Sequence, residues 1–284
     1  MKILVTGAKG QLGFDLCRIL ADRKTDCLGV DIEDFDITDA PAVDAFISAY
    51  RPDAIIHCSA YTAVDKAESE PERCAAINAQ GPANIAAVAK KIGAKMMYIS
   101  TDYVFPGTGE HAYCPDDATG PLSTYGKTKL MGEEAVRATC NAHFIVRISW
   151  AFGLNGNNFV KTMLRLGDVK DELNVVCDQI GSPTYTYDLA KLLCDMIVTD
   201  RFGTYHATNE GLCSWAEFAE EIMRLGGKKT KINPIPTADY PTAAVRPLNS
   251  RMSKDKLEEN GFARLPHWKD ALARYINELN GANG

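Results

Sequence analysis

Short apolar runs alternate with helical segments over the first 150 residues, and this rhythm limits the possible folds more than any other feature. The runs lack polar alternation, which is typical of parallel strands covered on both faces. The segments between them have helical periodicity, as in 11–21 and 71–92. Strand and helix alternating at this spacing predict right-handed βαβ units, hence an α/β fold with a doubly wound parallel sheet. The predicted strands are 2–6, 27–31, 54–60, 95–101 and 143–150.

After residue 150 the pattern is looser. We predict helices at 158–166 and 187–197, and a strand at 174–178 that adds to the same sheet. A helix at 215–225 behind a Ser214 cap and a closing helix at 268–279 flank a largely irregular segment, 234–251. We interpret 1–150 with about 174–208 as one domain. The segments at about 151–173 and 209–284 are expected to form a smaller mixed α/β lobe over the carboxyl ends of the strands, where such sheets bind ligands.

Composition argues against several classes of partner. The chain has 284 residues and a net charge of -6, with no block of lysine or arginine, so we expect neither nucleic acid nor an anionic membrane as a partner. No run approaches the roughly 20 apolar residues of a membrane span. The nine cysteines form no C-x-x-C pair, and because the first strand is predicted to begin at Lys2, we expect no signal peptide. These features favour reduced thiols and a cytoplasmic location.

A glycine loop connects the first predicted strand to the first helix. Gly7, Gly10 and Gly13 have the spacing G-x-x-G-x-x-G. Gly7 permits a tight turn, Gly10 lets backbone N–H groups approach a pyrophosphate, and Gly13 lets the helix pack closely on the sheet. Because the loop follows a strand and opens a helix, it predicts a dinucleotide site rather than an ordinary glycine-rich turn.

An acidic residue, Asp31, ends the second predicted strand, where a carboxylate accepts hydrogen bonds from the adenosine ribose. Its charge would repel a 2′-phosphate, so NADH is favoured over NADPH as the cofactor. Lys9 opposes this inference because a cation in the loop can pair with that phosphate. The alternative for Asp31 is an ordinary solvated carboxylate at a strand end. Asp36 and Ile37 follow closely and would lie at the adenine.

The sequence Y-x-x-x-K places Tyr125 and Lys129 on one face of a helix that Ser123 caps. A neighbouring ammonium group lowers the pKa of a phenol, so Tyr125 is the candidate proton donor to a carbonyl oxygen and Lys129 its tuning residue. Thr101 ends the fourth predicted strand, and we expect its hydroxyl to bind the same oxygen. The alternatives are an aromatic residue beside a solvated lysine, and a threonine that merely ends a strand.

Taken together, these motifs resemble the extended short-chain dehydrogenase/reductase superfamily, which has a Rossmann fold. Further stretches resemble the dTDP-4-dehydrorhamnose reductase family, and the likeness spans nearly the whole chain. The resemblance implies hydride transfer from NADH or NADPH to the C4 keto group of dTDP-4-dehydro-β-L-rhamnose. The stretches are 35–39, 59–68, 149–150, 158–163, 178–184 and 246–251.

The resemblance also implies site residues. The implied cofactor contacts are Gly10, Gln11, Leu12, Asp31, Asp36, Ile37, Ala60, Tyr61, Thr62, Tyr125 and Lys129. The implied contacts with the dTDP-sugar substrate are Thr101, Asp102 and Trp150. An indole face can stack on a sugar or base, although Trp150 could equally be a core residue.

Two arginines near a proline suit a diphosphate, because guanidinium groups pair with its oxygens. We predict that Arg246 or Arg251 binds the nucleotide diphosphate; the alternative is a pair of solvated surface arginines.

Some similar proteins are metal-linked dimers held by glutamates. Asp15 and the Asp116/Asp117 pair stand near two of those positions, so we predict no metal, and a monomer or homodimer.

Two other functions remain open at this point. A sugar-nucleotide epimerase or dehydratase would have the same fold, but dehydratases resembling this superfamily read Thr-Asp-Glu where this chain has Tyr103 after Thr101 and Asp102. A non-catalytic subunit resembling the regulatory subunits of methionine adenosyltransferase is the second alternative. A binding subunit has no evident need for the combination of Thr101, Tyr125 and Lys129.

Overall fold

The computed structural model describes residues 1–282. Its strands are β1 Lys2–Thr6, β2 Asp26–Val30, β3 Ala54–His57, β4 Lys95–Thr101, β5 His143–Ile148, β6 Ala151–Phe152, β7 Glu172–Val176, β8 Ile180–Gly181, β9 Thr184–Tyr185, β10 Gly203–His206, β11 Asn209–Glu210, β12 Cys213–Ser214, β13 Lys231–Ile235 and β14 Leu265–His267. Its helices are α1 Gln11–Asp22, α2 Ala40–Tyr50, α3 Val64–Ala67, α4 Pro71–Ala75, α5 Gly81–Ile92, α6 Thr124–Thr139, α7 Phe159–Gly167, α8 Thr186–Ile197, α9 Trp215–Leu225, α10 Asp255–Glu259 and α11 Trp268–Ala282.

A six-stranded parallel sheet forms the centre of the molecule, with strand order β10-β5-β4-β3-β1-β2. The chain adds β2 on one side of β1 and then crosses to add β3 on the other side. The strand order therefore reverses at β1, and the crevice at the carboxyl ends of β1 and β3 is where open α/β sheets bind ligands. The predicted doubly wound parallel sheet is confirmed.

One predicted member of this sheet is wrong. The strand expected at 174–178 is β7, and it pairs with β13 in a separate two-stranded parallel sheet. The sixth strand of the central sheet is β10, whose residues Thr204, Tyr205 and His206 are buried. A strand covered on both faces needs a buried run, whereas β7 exposes Glu172 and Asn174. The polar alternation of β7 is the sequence signal for its half-exposed position.

The predicted helices are confirmed, with small shifts of their ends. Ser123 caps α6 by accepting from the Gly126 N–H, and Ser214 with Glu217 forms a capping box on α9. The predicted helix 71–92 is interrupted by a π-helical segment, Ala76–Gln80, between α4 and α5. The segment predicted to be irregular, 234–251, contains the end of β13 and a 3-10 turn, Thr237–Asp239.

The three larger apolar clusters hold these elements together. Leu16 of α1 and Leu193 of α8 pack on one face of the sheet, and Ile85 of α5 packs on the other. A third cluster, which includes Phe218 of α9 and Trp268 of α11, joins the later helices.

Within 1–282 no helix is both long enough and apolar enough to cross a membrane. All nine cysteines are free thiols, and only Cys114 is exposed.

Candidate active site

A cleft of about 930 Å³ opens at the carboxyl ends of the central strands. We call the loops 7–13, 31–38 and 58–62, which follow β1, β2 and β3, the cofactor half. Residues 101–103 after β4, together with Trp150 and Trp215, are the substrate half. Most of the predicted site residues line this cleft. They are Gly7, Gly10, Gln11, Leu12, Asp31, Asp36, Ile37, Ala60, Thr62, Thr101, Asp102, Tyr125, Lys129 and Trp150.

Four predicted residues are not part of the cleft wall: Gly13, Tyr61, Arg246 and Arg251. Gly13 has a packing role, because a Cβ atom there would overlap the main chain of Gly7 and Ala8. The Tyr61 hydroxyl donates to Glu70 at 2.9 Å, and its backbone N–H donates to Asn78.

The glycine loop has the geometry of a phosphate cradle. Gly7 has φ +68°, which glycine adopts without strain, and its carbonyl oxygen accepts from the Gly10 N–H at 2.9 Å. A Cβ at Gly7 would overlap the main chain of Ser59, so the loops after β1 and β3 touch. Helix α1 starts at Gln11 and has no side-chain cap, which leaves its first N–H groups available to an anion. These residues fit the pyrophosphate of a dinucleotide.

Asp31 organises the next part of the cofactor half. Its carboxylate accepts from the backbone N–H of Lys9 at 2.9 Å and from that of Ile32 at 2.9 Å. The Lys9 ammonium group turns away to Glu33, with a separation of 2.8 Å. The cation that could pair with a 2′-phosphate is therefore already paired with a carboxylate.

Tyr125 lies in the first turn of α6, where its partly buried side chain lines the cleft. Burial raises the pKa of Tyr125 well above its ordinary value of 10.0, and a hydrogen bond with Thr101 acts in the opposite direction. The ring of Tyr103 meets it edge to face at 5.4 Å between centroids. The phenol therefore carries its proton at neutral pH, as a proton donor must.

The expected lowering of the Tyr125 pKa by Lys129 stays a prediction, because Lys129 has other partners in this structure. The Lys129 ammonium group donates to the carbonyl oxygen of Ile99 at 2.6 Å and lies 4.0 Å from the centre of the Tyr98 ring. Burial lowers the pKa of Lys129 itself to about 7. Residues i and i+4 share a helix face, but a long flexible side chain goes to the nearest buried acceptor, and here that acceptor is a main-chain oxygen.

Thr101 and Asp102 form a chain of buried hydroxyl and carboxyl groups. The Thr101 hydroxyl donates to Asp102 Oδ1 at 2.9 Å, and the Ser250 hydroxyl donates to Asp102 Oδ2 at 2.5 Å. Burial raises the pKa of Asp102 to about 6, while these hydroxyls act to lower it. The Thr101 oxygen thus lies beside the phenol of Tyr125 with its own hydrogen directed to the carboxylate.

Two tryptophans meet in the substrate half. Trp150 and Trp215 stack with 3.9 Å between ring centroids and 18° between planes, and both rings line the cleft. Trp150 has φ +49°, a conformation that is rare and strained in a bulky residue and is often found at functional sites. A Cβ at Gly181 would lie 3.1 Å from the Trp150 indole, a tight contact that would press on the ring. Trp150 is therefore a partly buried wall of the cleft rather than a core residue.

Both predicted diphosphate ligands have partners within the chain. Arg246 donates to Asp65 Oδ2 at 2.5 Å and to the Tyr103 hydroxyl at 3.3 Å. Arg251 donates to Asn249 Oδ1 at 3.0 Å. Arg246 thereby connects the late segment to α3, directly after the cofactor half.

The carboxylates considered for a metal lie apart. Asp15 is fully buried and accepts from the Thr186 hydroxyl at 2.5 Å, whereas Asp116 is 3.6 Å from the ammonium group of Lys256. Within 1–282 no group of three or more His, Cys, Asp or Glu side chains has the arrangement of a metal site.

Several residues that shape the site had no motif to mark them. Trp215 and Ser250 join the site across more than 60 residues of chain, and a single sequence does not reveal such contacts. Glu133 lies one turn after Lys129, where it accepts from Ser100 at 2.5 Å and from Arg147 at 2.8 Å and 2.7 Å. This buried ion pair joins α6 to β4 and β5. The i, i+4, i+8 spacing of Tyr125, Lys129 and Glu133 was the available signal.

Comparison with known proteins agrees with this geometry. The family model described as "RmlD substrate binding domain" matches residues 1–280. The spore coat polysaccharide biosynthesis protein SpsK of Bacillus subtilis is 42% identical, covering 99% of each chain. A crystal structure of a dTDP-4-dehydrorhamnose reductase from Clostridium acetobutylicum is 44% identical, with TM-score 0.97 over 99% of this chain and 100% of that one.

A second solved structure bears on the cofactor. The dTDP-4-dehydrorhamnose reductase of Bacillus anthracis, solved in complex with NADP, is 43% identical, with TM-score 0.95 over 98% of this chain and 100% of that one. With nearly the whole chain matched in each comparison, the chain belongs to the RmlD substrate binding domain family, and the proteins it is similar to include dTDP-4-dehydrorhamnose reductases.

Proposed function

We propose that this protein is a reductase that converts dTDP-4-dehydro-β-L-rhamnose to dTDP-β-L-rhamnose with NADH or NADPH. The observation that carries the proposal is the meeting of two features in one cleft. A glycine loop suited to a dinucleotide lies on one side, and the partly buried Tyr125 phenol beside the Thr101 hydroxyl lies on the other. The division into a cofactor domain and a substrate lobe is part of the proposal; of the predicted segment 174–208, α8 and β10 go with residues 1–150, whereas β7 goes with the lobe.

The cofactor half would hold the dinucleotide. Gly7, Gly10, Gln11 and Leu12 would bind its pyrophosphate through backbone N–H groups at the start of α1. Further contacts are proposed at Gly13, Asp31, Asp36, Ile37, Ala60, Tyr61, Thr62, Tyr125 and Lys129. When bound, the reduced nicotinamide supplies the hydride. The Lys129 ammonium group, already at the floor of the cleft, is proposed to bind the nicotinamide ribose.

Tyr125 is the proposed proton donor. Reduction of a ketone places negative charge on its oxygen, and a protonated phenol next to that oxygen can neutralise it. The hydroxyl of Thr101, beside the phenol, is proposed to bind the same carbonyl oxygen. Substrate contacts are proposed at Thr101, Asp102 and Trp150, with the guanidinium groups of Arg246 and Arg251 as candidate ligands of the diphosphate.

NADH is the proposed preferred cofactor. Asp31 places a carboxylate where the adenosine ribose would lie, and Glu33 neutralises Lys9 beside it. A 2′-phosphate would be repelled by the Asp31 carboxylate, and Lys9 would not offset this repulsion because it is already paired with Glu33. The measurement is the ratio of kcat/KM for NADH to that for NADPH. A ratio above one supports the preference, and a ratio below one contradicts it.

The test of the reaction uses the purified protein with dTDP-4-dehydro-L-rhamnose and each reduced cofactor, followed by loss of reduced-nicotinamide absorbance. Tyr125→Phe removes only the hydroxyl, and we expect kcat to fall by roughly 10²- to 10⁴-fold while NADH affinity is kept. Tyr113→Phe, which removes a phenol hydroxyl outside the cleft, is the matched control. A folded wild-type protein that binds NADH but does not oxidise it would reject the reductase and direct the search to epimerase substrates.

A further inference from the structure

The segment 246–251 has a role that its sequence did not explain. Its main chain is attached on two sides. The Asn249 N–H donates to Gly107 O at 2.9 Å, and the Ser250 N–H donates to Ile180 O at 2.8 Å. The side-chain amide of Asn249 adds bonds to the carbonyl oxygens of Thr108 and His111, at 3.2 Å and 2.8 Å. The position of Ser250 is therefore set by backbone contacts and by Asn249, independently of its own hydroxyl.

The Ser250 hydroxyl makes one described hydrogen bond, to Asp102 Oδ2 at 2.5 Å. The other carboxyl oxygen of Asp102 accepts from Thr101 at 2.9 Å. The three side chains are buried, with 2%, 3% and 5% of the surface of Ser250, Asp102 and Thr101 exposed. No water is needed to complete this arrangement, because each carboxyl oxygen already has a hydroxyl donor.

The torsion that turns a carboxyl group about its last bond is broad and weakly restrained. A donor on each oxygen fixes the plane of the Asp102 carboxyl, and that plane fixes where Thr101 must send its hydrogen. The Thr101 oxygen also accepts from the Tyr103 N–H at 3.3 Å, so the hydroxyl is held in one orientation next to the Tyr125 phenol. With the Ser250 hydroxyl removed, Asp102 Oδ2 loses its side-chain donor, and the carboxyl plane is less restrained.

We propose that Ser250 is a positioning residue for catalysis: through Asp102, its hydroxyl fixes the Thr101 hydroxyl beside the Tyr125 phenol. This inference rests on the proposed reductase function. It assigns a task to a serine 148 positions away from Asp102 in the chain. It also explains why segment 246–251 has to be attached so firmly to the loop that follows β4.

The test measures kcat and the KM for each substrate in Ser250→Ala. Because one well-placed hydrogen bond contributes a factor of about ten, we expect kcat to fall roughly tenfold, with the KM for NADH within about twofold of the wild type. Ser250→Cys, which keeps a weak donor, should lie between the two. The matched control is Ser182→Ala, an equally buried serine whose hydroxyl donates instead to Gly211 O at 2.7 Å. Its kcat should stay at the wild-type value.

A double-mutant cycle shows whether Ser250 acts through Asp102. In an Asp102→Ala background no carboxyl group is left to orient, so Ser250→Ala should change kcat by less than about twofold. An unchanged kcat in Ser250→Ala, an equal loss in Ser182→Ala, or a full loss in the Asp102→Ala background would each overturn the proposal. A wild-type protein without turnover would instead reject the reductase itself, so the two failures are distinguishable.

Discussion

The two halves of the cleft are built in different ways. The cofactor half consists of three loops, each following its own strand, and its groups interact mostly within a loop or with the adjacent one, as in the Gly10 N–H bond to Gly7 O. The substrate half is assembled from remote segments: Ser250 reaches Asp102 across 148 positions, and Trp215 stacks on Trp150. This difference indicates that the loops of the parallel sheet form the dinucleotide site by themselves. The proposed substrate site forms only when segments late in the sequence pack against the sheet.

The independence of the two halves can be tested by substitutions, and the largest change in ligand affinity is expected in the cofactor half. Gly13→Ala places a Cβ against the main chain of Gly7 and Ala8, which must shift. Overpacking of this kind costs about 1–3 kcal/mol, so the Kd for NADH should rise roughly tenfold to hundredfold while the Kd for dTDP stays unchanged. Calorimetric titration measures both constants.

Gly120→Ala is the control for that substitution, because a Cβ there meets only Pro106 at an ordinary distance of 3.6 Å. Equal weakening of NADH and dTDP binding in Gly13→Ala would show that the two halves are not independent.

A second prediction concerns acid stability, because one neutral histidine is buried near each half. His57 ends β3 and bonds to Thr6, and His206 ends β10 and contacts Ser253 O. Burial lowers the pKa of each from 6.5 to about 3. The unfolded chain therefore takes up protons below pH 6.5 that the folded chain does not, and stability present above that pH is lost as the pH falls.

Each histidine should remove about 2 kcal/mol from the free energy of unfolding between pH 7 and pH 5. Asp102 acts in the opposite direction, since its folded-state pKa is raised to about 6. Urea unfolding of the wild type, His57→Asn and His206→Asn at the two pH values isolates the histidine contributions. Each variant should show a pH dependence smaller by about 2 kcal/mol, and an unchanged dependence would contradict the assignment.

The smallest effect is expected in the substrate half. Trp215→Ala removes the ring stacked on Trp150, and an aromatic pair contributes about 0.5–1.5 kcal/mol, so the Kd for dTDP should rise roughly twofold to tenfold. NADH binding should not change, and Trp215→Phe should retain most of the affinity. If Trp215→Ala weakened NADH binding as much as dTDP binding, the two halves of the cleft would not be independent.

The fold was largely predictable because buried parallel strands and amphipathic helices are local patterns. The error at β7 has a physical origin: an apolar stretch indicates a strand, but its sheet partner is decided by later chain, here β13. The same limit applied to the site. Gly7, Asp31 and Tyr125 were identified from short motifs in one cleft, whereas Ser250 and Trp215 contribute through long-range contacts that no spacing rule encodes. The motif also did not show that Lys129 donates to a main-chain oxygen, or that burial raises the pKa of Tyr125.

Isotope transfer tests the central claim most directly. The protein is supplied with dTDP-4-dehydro-L-rhamnose and NADH deuterated at the 4R or the 4S position, and the product is analysed by mass spectrometry and NMR. We predict that one of the two labelled cofactors delivers a single deuterium to C4 of the sugar, giving dTDP-L-rhamnose. A product without deuterium from either cofactor, or with deuterium at another carbon, would contradict the proposed reduction.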